Sequence, residues 1–424
     1  MRKIIRLIAS KFARLGPGFV TGAADDDPSG VATYSIAGAQ FGYSLNWLTL
    51  FLTPMMISVQ EMCGRIGMVS GMGLAGSIRK YYSKKLLIFA LSLLIIANTI
   101  NIGADLGIMA ASMQMVLRLP FFFWLIFVTV FTIFLEIFVS YDKYSRYLKW
   151  MGLTLLGYGI TALIVKQDWL SVIKYTFIPH IEFNIKYVMI LVGFLGTTIS
   201  PYLFFWQASQ EVEEEIKEGK ITEFEESPTI LKEEIHHMQK DTAAGMIFSN
   251  LIAFAILLTT SATLFRNGIH DIETPQQVAL SLRPLAGDSA YLLFTFGIIG
   301  IGLQSVPVLA GSAAYAFAES FGFKEGLAKK FTEAKAFYAT IGFATTIGAL
   351  MNLLGINAIK ALYYSAILNG IIAVPLIAII IRLADDKRIV GLHRTNKVSK
   401  IIAWITFVFM TIAVVLMIGG LIKK

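Results

Sequence analysis

Long apolar stretches separated by short polar segments recur along the whole chain. Stretches such as 86–117, 246–264 and 401–422 match or exceed the roughly 20 residues that an α-helix needs to cross a bilayer. The pattern therefore predicts a polytopic, all-α membrane protein with about eleven spans. These spans lie near residues 16–40, 45–64, 86–117, 121–140, 148–166, 185–210, 243–265, 289–318, 335–353, 357–382 and 400–422.

The composition supports this assignment. Hydrophobic residues make up 56% of the 424 residues and charged residues only 15%, and the mean hydropathy is +0.68. Soluble chains carry about 25% charged residues, so a soluble enzyme is excluded. The net charge of +8 does not indicate nucleic-acid binding, because the basic residues lie between the apolar spans. The single cysteine, Cys63, excludes an internal disulfide.

The distribution of basic residues predicts the orientation. With the N-terminus inside, about three-quarters of the 36 Lys and Arg residues fall in cytoplasmic segments. Lys11 and Arg14 interrupt the first apolar stretch, which favours a cytoplasmic tail over a cleaved signal peptide. We therefore expect a multi-pass protein of the inner (cytoplasmic) membrane with a cytoplasmic N-terminus and an extracytoplasmic C-terminus.

Two spans are interrupted at corresponding places. Polar residues, Pro and Gly break the first span at 25–30 and the sixth span at 196–201, and each of these spans opens a set of five. Paired interruptions of this kind are typical of transporters built from inverted repeats, whose substrate lies between the breaks near the bilayer midplane. We therefore expect the site between residues 25–30 and 196–201.

The first break carries three consecutive aspartates, Asp25, Asp26 and Asp27. Three charged Asp residues facing lipid would cost roughly 8–10 kcal/mol, so a cavity, water or a cation must compensate them. A solvated loop is the alternative, but the flanking helices are too short to span separately. Pro28 should force Asp27 into an extended conformation and free nearby carbonyls. Carboxylate and carbonyl oxygens are ligands for hard cations.

The second break is neutral. Thr197, Thr198 and Ser200 offer hydroxyl groups, and Pro201 frees a backbone carbonyl. An ordinary proline kink explains this segment when it is taken alone. Its pairing with the first break favours a functional role.

The chain resembles the NRAMP divalent-metal transporters. Residues 16–47 are similar to the first span of that family, and further matches occur at 71–75, Asp105-Leu106 and Asn250. The similarity covers essentially the whole chain and is most specific at 16–47. It implies a LeuT-like fold with two inverted five-helix repeats, broken helices 1 and 6, and metal bound between them.

The resemblance also implies the domain organisation. We expect one transmembrane domain over residues 1–424. Repeat one covers about 16–166, repeat two about 185–382, and an extra helix about 400–422.

Departures from the family pattern change the expected cargo. The usual Asp-Pro-Gly-Asn reads Asp-Pro-Ser-Gly at 27–30, and the usual Met-Pro-His reads Ser-Pro-Tyr at 200–202. A thioether favours soft metals over Mg²⁺, and Ser200 lacks one. Gln207 and Ile108 replace groups associated with proton coupling in the family. The pattern is similar to the NRAMP-related magnesium transporters of prokaryotes.

These observations define the predicted site. Replacing Asn by Gly30 is expected to leave space for the waters of a hydrated Mg²⁺ ion. Asn369 is included because related transporters place a polar residue in that region of span ten. The predicted metal ligands are Asp27, Gly30, Thr197 and Ser200, and the predicted route or outer-shell residues are Asp25, Asp26, Tyr202, Gln207, Asp105 and Asn369.

The predicted function is uptake of divalent cations without proton coupling, with Mg²⁺ favoured and Mn²⁺ accepted. The main alternative is a proton-coupled Mn²⁺/Fe²⁺ importer. An amino-acid symporter ranks low because three Asp residues would repel a substrate carboxylate. A receptor gives no reason for two matched breaks. An enzyme is not expected, because the spans contain no His. Beyond the bilayer and the metal ion as substrate, we expect no cofactor, nucleic acid or obligatory protein partner.

Other polar residues have less specific interpretations. Asn98 and Asn101 are expected to form hydrogen bonds between helices, whereas Asp105 on the same helix face is expected to line the route. Gln304 suits either role. The acidic segment 211–241 is predicted to be a solvated helical extension of span six. Its His236 and His237 leave a metal sensor as the alternative.

Overall fold

The computed structural model describes residues 16–139 and 153–422, and within these ranges it contains helices and no strands. The helices that matter here are numbered α1 to α15 in chain order. Short helices at Pro275–Leu280, Arg283–Ala286 and Lys387–Val390 connect some of them. The numbered helices are α1 Pro17–Asp25, α2 Pro28–Phe41, α3 Asn46–Ser70, α4 Leu74–Tyr81, α5 Lys84–Leu117, α6 Phe121–Phe138, α7 Leu156–Ile164, α8 Trp169–Phe177, α9 Ile185–Thr198, α10 Pro201–Lys217, α11 Lys232–Thr263, α12 Ala290–Phe321, α13 Lys335–Met351, α14 Ala358–Asp385 and α15 Lys397–Ile422.

The all-α membrane fold predicted from the sequence is confirmed. Among the described residues, 8 helical segments are long and apolar enough to span a bilayer. Predicted spans one and two coincide with α1–α2 and α3, while part of predicted span five (148–166) lies outside the described residues. The total of about eleven spans therefore stays a prediction. The 8 segments are Lys84–Leu117, Phe121–Phe138, Ile185–Lys217, Lys232–Asn267, Arg283–Phe321, Lys335–Leu354, Ala358–Asp385 and Lys397–Ile422.

Both predicted breaks are present. Helix α1 ends at Asp25 and α2 begins at Pro28, with Asp27 extended (φ −73°, ψ 170°), as the following proline requires. Helix α9 ends at Thr198 and α10 begins at Pro201, with Ser200 extended (φ −87°, ψ 131°). In each case a proline opens the second half-helix. A backbone N–H at this position would have no partner within the helix, so the absence of one in proline costs no hydrogen bond.

Small residues bring each first half-helix against a long helix. A Cβ on Gly22 of α1 would lie 2.2 Å from the carbonyl carbon of Gly245 in α11. A Cβ on Gly196 of α9 would lie 2.2 Å from the backbone nitrogen of Gly370 in α14. Such close backbone approach is typical of helix packing in membranes. Both breaks are therefore held on long helices that cross the bundle.

The carboxylate of Asp241 in α11 holds the start of α1. It accepts hydrogen bonds of 3.0 Å from the backbone N–H groups of Gly16 and Phe19. These donors belong to the first turn of a helix and lack partners within it. A residue more than 220 positions away along the chain thus caps α1.

The acidic segment 211–241 differs from its prediction. It is helical up to Lys217 and again from Lys232, but residues 218–231 are not helical. It is also not simply solvated, because Glu211 and Glu215 are buried and Lys220 forms ion pairs that join the two helices. His236 and His237 are exposed. No group of three or more His, Cys, Asp or Glu residues is arranged as a metal site around these two histidines in the described part of the chain.

Candidate functional site

Asp27 is the central acidic residue of the first break. Its Oδ1 accepts hydrogen bonds from the Ser29 hydroxyl (2.6 Å) and the Gly30 backbone N–H (2.8 Å), which caps α2. Its Oδ2 is buried and has no hydrogen-bond partner. One oxygen of the carboxylate therefore fixes the local backbone, and the other is available to a ligand.

Hydroxyl groups connect the two breaks. The Ser29 hydroxyl lies 3.2 Å from the Thr197 hydroxyl, and the Tyr34 hydroxyl lies 3.0 Å from that of Thr198. The Tyr202 hydroxyl donates a 3.1 Å hydrogen bond to the carbonyl of Ala24. The structure thus brings the first and second breaks together, as the sequence predicted.

Gly30 and Thr197 lie beside Asp27, but the expected space is not there. A Cβ on Gly30 would be only 3.3 Å from the Thr197 hydroxyl oxygen and 3.3 Å from the Tyr34 ring. The prediction that Gly30 leaves room for water is therefore wrong for this conformation, because these two side chains fill the volume. Asp27 and Thr197 are each 1% exposed, so the centre is closed to both sides.

The Ser200 side chain points back towards α9, the helix that precedes the second break. Its hydroxyl contacts the carbonyls of Gly196 (2.9 Å) and Thr197 (2.8 Å), to which it donates. A hydroxyl has a single proton but keeps acceptor lone pairs, so Ser200 can contribute only as an acceptor while this arrangement holds.

Three further predicted residues occupy different surroundings. The Gln207 side chain donates a 2.7 Å hydrogen bond to Glu211, away from the breaks. Asn369 is buried on α14, one residue before the contact between Gly370 and Gly196, and its Nδ2 has no partner. The third residue is Tyr202, whose hydroxyl contacts the Ala24 carbonyl. Gln207 is therefore removed from the breaks, while Tyr202 and Asn369 lie close to them.

The remaining predicted residue on α5 faces the centre. Asp105 is fully buried, and its Oδ2 accepts a 2.8 Å hydrogen bond from the Ser305 hydroxyl of α12. Its Oδ1 has no hydrogen-bond partner, and its carboxyl group lies within electrostatic range of that of Asp27. Asn98, two turns earlier, donates to the carbonyl of Leu309, so its predicted packing role is confirmed. Asn101 has no hydrogen-bond partner, so the predicted hydrogen bond between helices is wrong for this residue.

Asp25 and Asp26 turn to α11 instead. The Ser249 hydroxyl lies 2.7 Å from an oxygen of Asp25 and 3.3 Å from an oxygen of Asp26. Sequence reasoning missed Ser249, Ser305 and Tyr34. Hydroxyl residues are common in apolar spans, and only spatial proximity to the aspartates distinguishes these.

The electrostatics of the centre are unbalanced. Four carboxylates are buried, and in the described part of the chain none of them forms an ion pair with a basic side chain. Buried charge of one sign is costly unless a counter-charge or a proton compensates it. The available groups are carboxylate, hydroxyl, amide and carbonyl oxygens, a set that suits hard divalent cations. The four carboxylates belong to Asp25, Asp26, Asp27 and Asp105.

The fold and this centre define a polytopic helical membrane protein in which two broken helices surround a buried acidic site. Comparison with known proteins makes the assignment specific. The chain belongs to the natural resistance-associated macrophage protein-like family, whose model matches residues 18–419.

Curated relatives are similar over nearly the full length. A divalent metal cation transporter, MntH, of Clostridium acetobutylicum is 26% identical over 417 residues, covering 92% of this chain and 87% of the relative. The protein of the same name from Listeria welshimeri is 25% identical, covering 95% of this chain and 88% of the relative.

Solved structures share the fold. The manganese transporter of Eremococcus coleocola superposes with a TM-score of 0.77 at 15% identity, covering 94% of this chain and 84% of that one. Mhp1, a nucleobase-cation-symport-1 family transporter, superposes with a TM-score of 0.59 at 11% identity, covering 96% and 92% of the two chains. The predicted LeuT-like class with broken helices is thereby confirmed.

Proposed function

We propose that this protein transports divalent metal cations across the cytoplasmic membrane, with Asp27 as the main charged ligand. The observation that carries the proposal is the free Oδ2 of Asp27, which is buried beside the second break and lacks a basic partner in the described residues. A divalent cation would compensate the charge of Asp27, and the unpartnered Oδ1 of Asp105 offers a second buried carboxylate oxygen. The names of the curated relatives, divalent metal cation transporters, support the same substrate class.

We assign the remaining ligands to neutral oxygens. The Thr197 hydroxyl lies next to Ser29 and Gly30, and Ser200 has lone pairs to offer. This set lacks the thioether and imidazole groups that favour softer metals, so Mg²⁺ is favoured and Mn²⁺ accepted. The Gly30 position contributes backbone rather than side-chain groups. Water would enter only after Thr197 and Tyr34 move, because they fill the adjacent volume.

Uptake is proposed to be driven by membrane potential alone. An inside-negative potential favours entry of a divalent cation by about 4.6 kcal/mol per 100 mV, twice the value for one charge. This corresponds to roughly thousandfold accumulation. Tyr202, Gln207 and Ile108 occupy positions where a titrating group would assist proton movement. Free tyrosine has a pKa of about 10, and the side chains of glutamine and isoleucine do not ionise.

The same proposal includes the layout of the chain. A single transmembrane domain consists of repeat one (about 16–166), repeat two (about 185–382) and a further helix (about 400–422). The N-terminus is assigned to the cytoplasm and the C-terminus to the outside, on the basis of the basic residues. Asp25, Asp26, Tyr202, Asp105 and Asn369 would then line the route, whereas Gln207 would act only further along it.

The test is uptake into liposomes containing the purified protein, with Mg²⁺ and Mn²⁺ compared at equal membrane potential. We expect both ions to enter, Mg²⁺ at least as readily, with no change when a pH gradient is imposed. Transport of Mn²⁺ or Cd²⁺ with Mg²⁺ ignored, and stimulation by an inward proton gradient, would instead support a proton-coupled Mn²⁺/Fe²⁺ importer. The names of the relatives, including the manganese transporter, make this the second candidate.

A further inference from the structure

Asp25 and Asp26 form a pair separate from the contacts of Asp27. They share the Ser249 hydroxyl of α11, whereas Asp27 contacts Ser29 and Gly30 on the side of the second break. Because both carboxylates contact one hydroxyl oxygen, at 2.7 and 3.3 Å, their nearest oxygens lie within about 6 Å of each other. A hydroxyl donates one proton and so satisfies only one of the two at a time.

Each carboxylate of this pair keeps an unsatisfied oxygen. Asp25 Oδ1 and Asp26 Oδ2 are buried and have no hydrogen-bond partner, and the two side chains are at most 2% exposed. In the described residues no basic side chain forms an ion pair with either. A buried carboxylate oxygen without a donor is strongly destabilised unless something else occupies its lone pairs.

The local backbone adds negative potential. Asp25 is the last residue of α1 and Asp26 is its C-cap, with non-helical torsion angles (φ −79°, ψ 60°). The C-terminal end of a helix carries partial negative charge on its free carbonyls, which favours cations and disfavours carboxylates. Two carboxylates at this end are therefore unfavourable by themselves, and a cation between them would reverse the effect.

The four carboxylates of the centre also differ in their hydroxyl partners. Asp25 and Asp26 contact Ser249, whereas Asp27 contacts Ser29 and Asp105 contacts Ser305. Mg²⁺ is commonly held by one or two carboxylates, and this pair supplies two carboxylates beside one hydroxyl.

We propose that Asp25, Asp26 and the Ser249 hydroxyl form a second divalent-cation subsite at the interface between α1 and α11. The subsite lies eight residues from Asp241 along α11, about 12 Å at the helical rise. It therefore lies at the opposite end of α1 from the turn that Asp241 caps. This inference rests on the proposed function, because it takes the transported ion as the ligand of both subsites.

The experiment counts Mn²⁺ ions bound to the purified full-length protein, using the electron paramagnetic resonance signal of free Mn²⁺ in a titration. We expect two ions per wild-type chain, one in Asp27→Asn, and one in the double variant Asp25→Asn/Asp26→Asn. Ser249→Ala should weaken one of the two ions about tenfold, the loss expected for one charge-assisted contact. Ser261→Ala is the matched control on the same helix, because that hydroxyl donates to the Leu257 carbonyl of its own helix.

The outcomes separate the two claims. A wild type that binds one ion, lost in Asp27→Asn and kept in the double variant, overturns the second subsite and leaves the proposed function standing. A single ion that survives Asp27→Asn but not the double variant overturns the role of Asp27 instead. Monodisperse elution of each variant in size-exclusion chromatography establishes that the loss of an ion is not a loss of fold.

Discussion

The two breaks use the same backbone arrangement with opposite side-chain chemistry. At each, two non-helical residues precede a proline that opens the next helix, Asp26-Asp27 in the first and Ile199-Ser200 in the second. Asp27 points forward and caps α2 through Gly30. Ser200 points backward and donates to carbonyls of α9.

The two breaks therefore contribute differently to cation binding and to the preference among cations. The first break supplies carboxylates with free buried oxygens, which determine whether a cation binds. The second break supplies only neutral oxygens and occupies some of its own carbonyls, which affects which cation is preferred. Removing charge from the first break should therefore abolish transport, whereas altering the second should change the order of preference among ions.

The largest effect is expected for Asp27→Ala, which should abolish divalent uptake in liposomes because the main charged ligand is lost. The variant also loses the α2 cap, worth about 1 kcal/mol. Asp27→Asn separates the two effects, since Asn caps helices as well as Asp does, and it should be equally inactive. Asp288→Ala, at an exposed Asp, is the matched control and should transport normally. Full uptake by Asp27→Asn would rule out a carboxylate ligand at this position.

The next effect concerns Ser200→Met. The thioether adds a soft ligand at the second break and frees the carbonyls of Gly196 and Thr197. Competition uptake should show a shift of about tenfold from Mg²⁺ towards Mn²⁺ and Cd²⁺, or ~1.4 kcal/mol of differential binding. Ser320→Met is the control, because Ser320 bonds to its own helix at the far end of α12. An unchanged preference would show that position 200 does not contact the ion.

A smaller effect is expected for Tyr202→Phe, which removes the hydrogen bond from the second break to the Ala24 carbonyl of the first. A neutral hydrogen bond contributes about 0.5–1.5 kcal/mol, so initial uptake rates should fall about two- to tenfold with ion preference unchanged. The control is Tyr364→Phe, an exposed tyrosine on α14. A change in preference without a change in rate would place Tyr202 among the ligands.

The last prediction is that no protons cross the membrane together with the metal ion. Liposomes that contain a pH-sensitive dye should show no acidification as Mg²⁺ or Mn²⁺ enters, because neither break presents an imidazole. Asp105, whose Oδ1 has no hydrogen-bond partner, is the group best placed to carry a proton. Metal-dependent acidification that disappears in Asp105→Asn would establish coupling through α5.

The sequence alone located both breaks, because proline and polar residues within an apolar span act on the nearest backbone. The extended conformation of Asp27 and the helix starts at Pro28 and Pro201 follow from such local rules. The family was also recognisable from residues 16–47, where motif and spacing are contiguous in the chain. The helix boundaries at the two breaks and the class of fold were therefore predictable.

Only the tertiary structure decided which groups meet. The pairing of Asp25 and Asp26 with Ser249, the filling of the space at Gly30 by Thr197, and the burial of Glu211 depend on helices that are distant in sequence. A side chain's partner is set by the relative position of whole helices, and that position results from close glycine contacts such as Gly22 with Gly245. Local sequence rules do not describe contacts between distant helices. They therefore predicted the chemical type of the ligands but not which side chains contact each other.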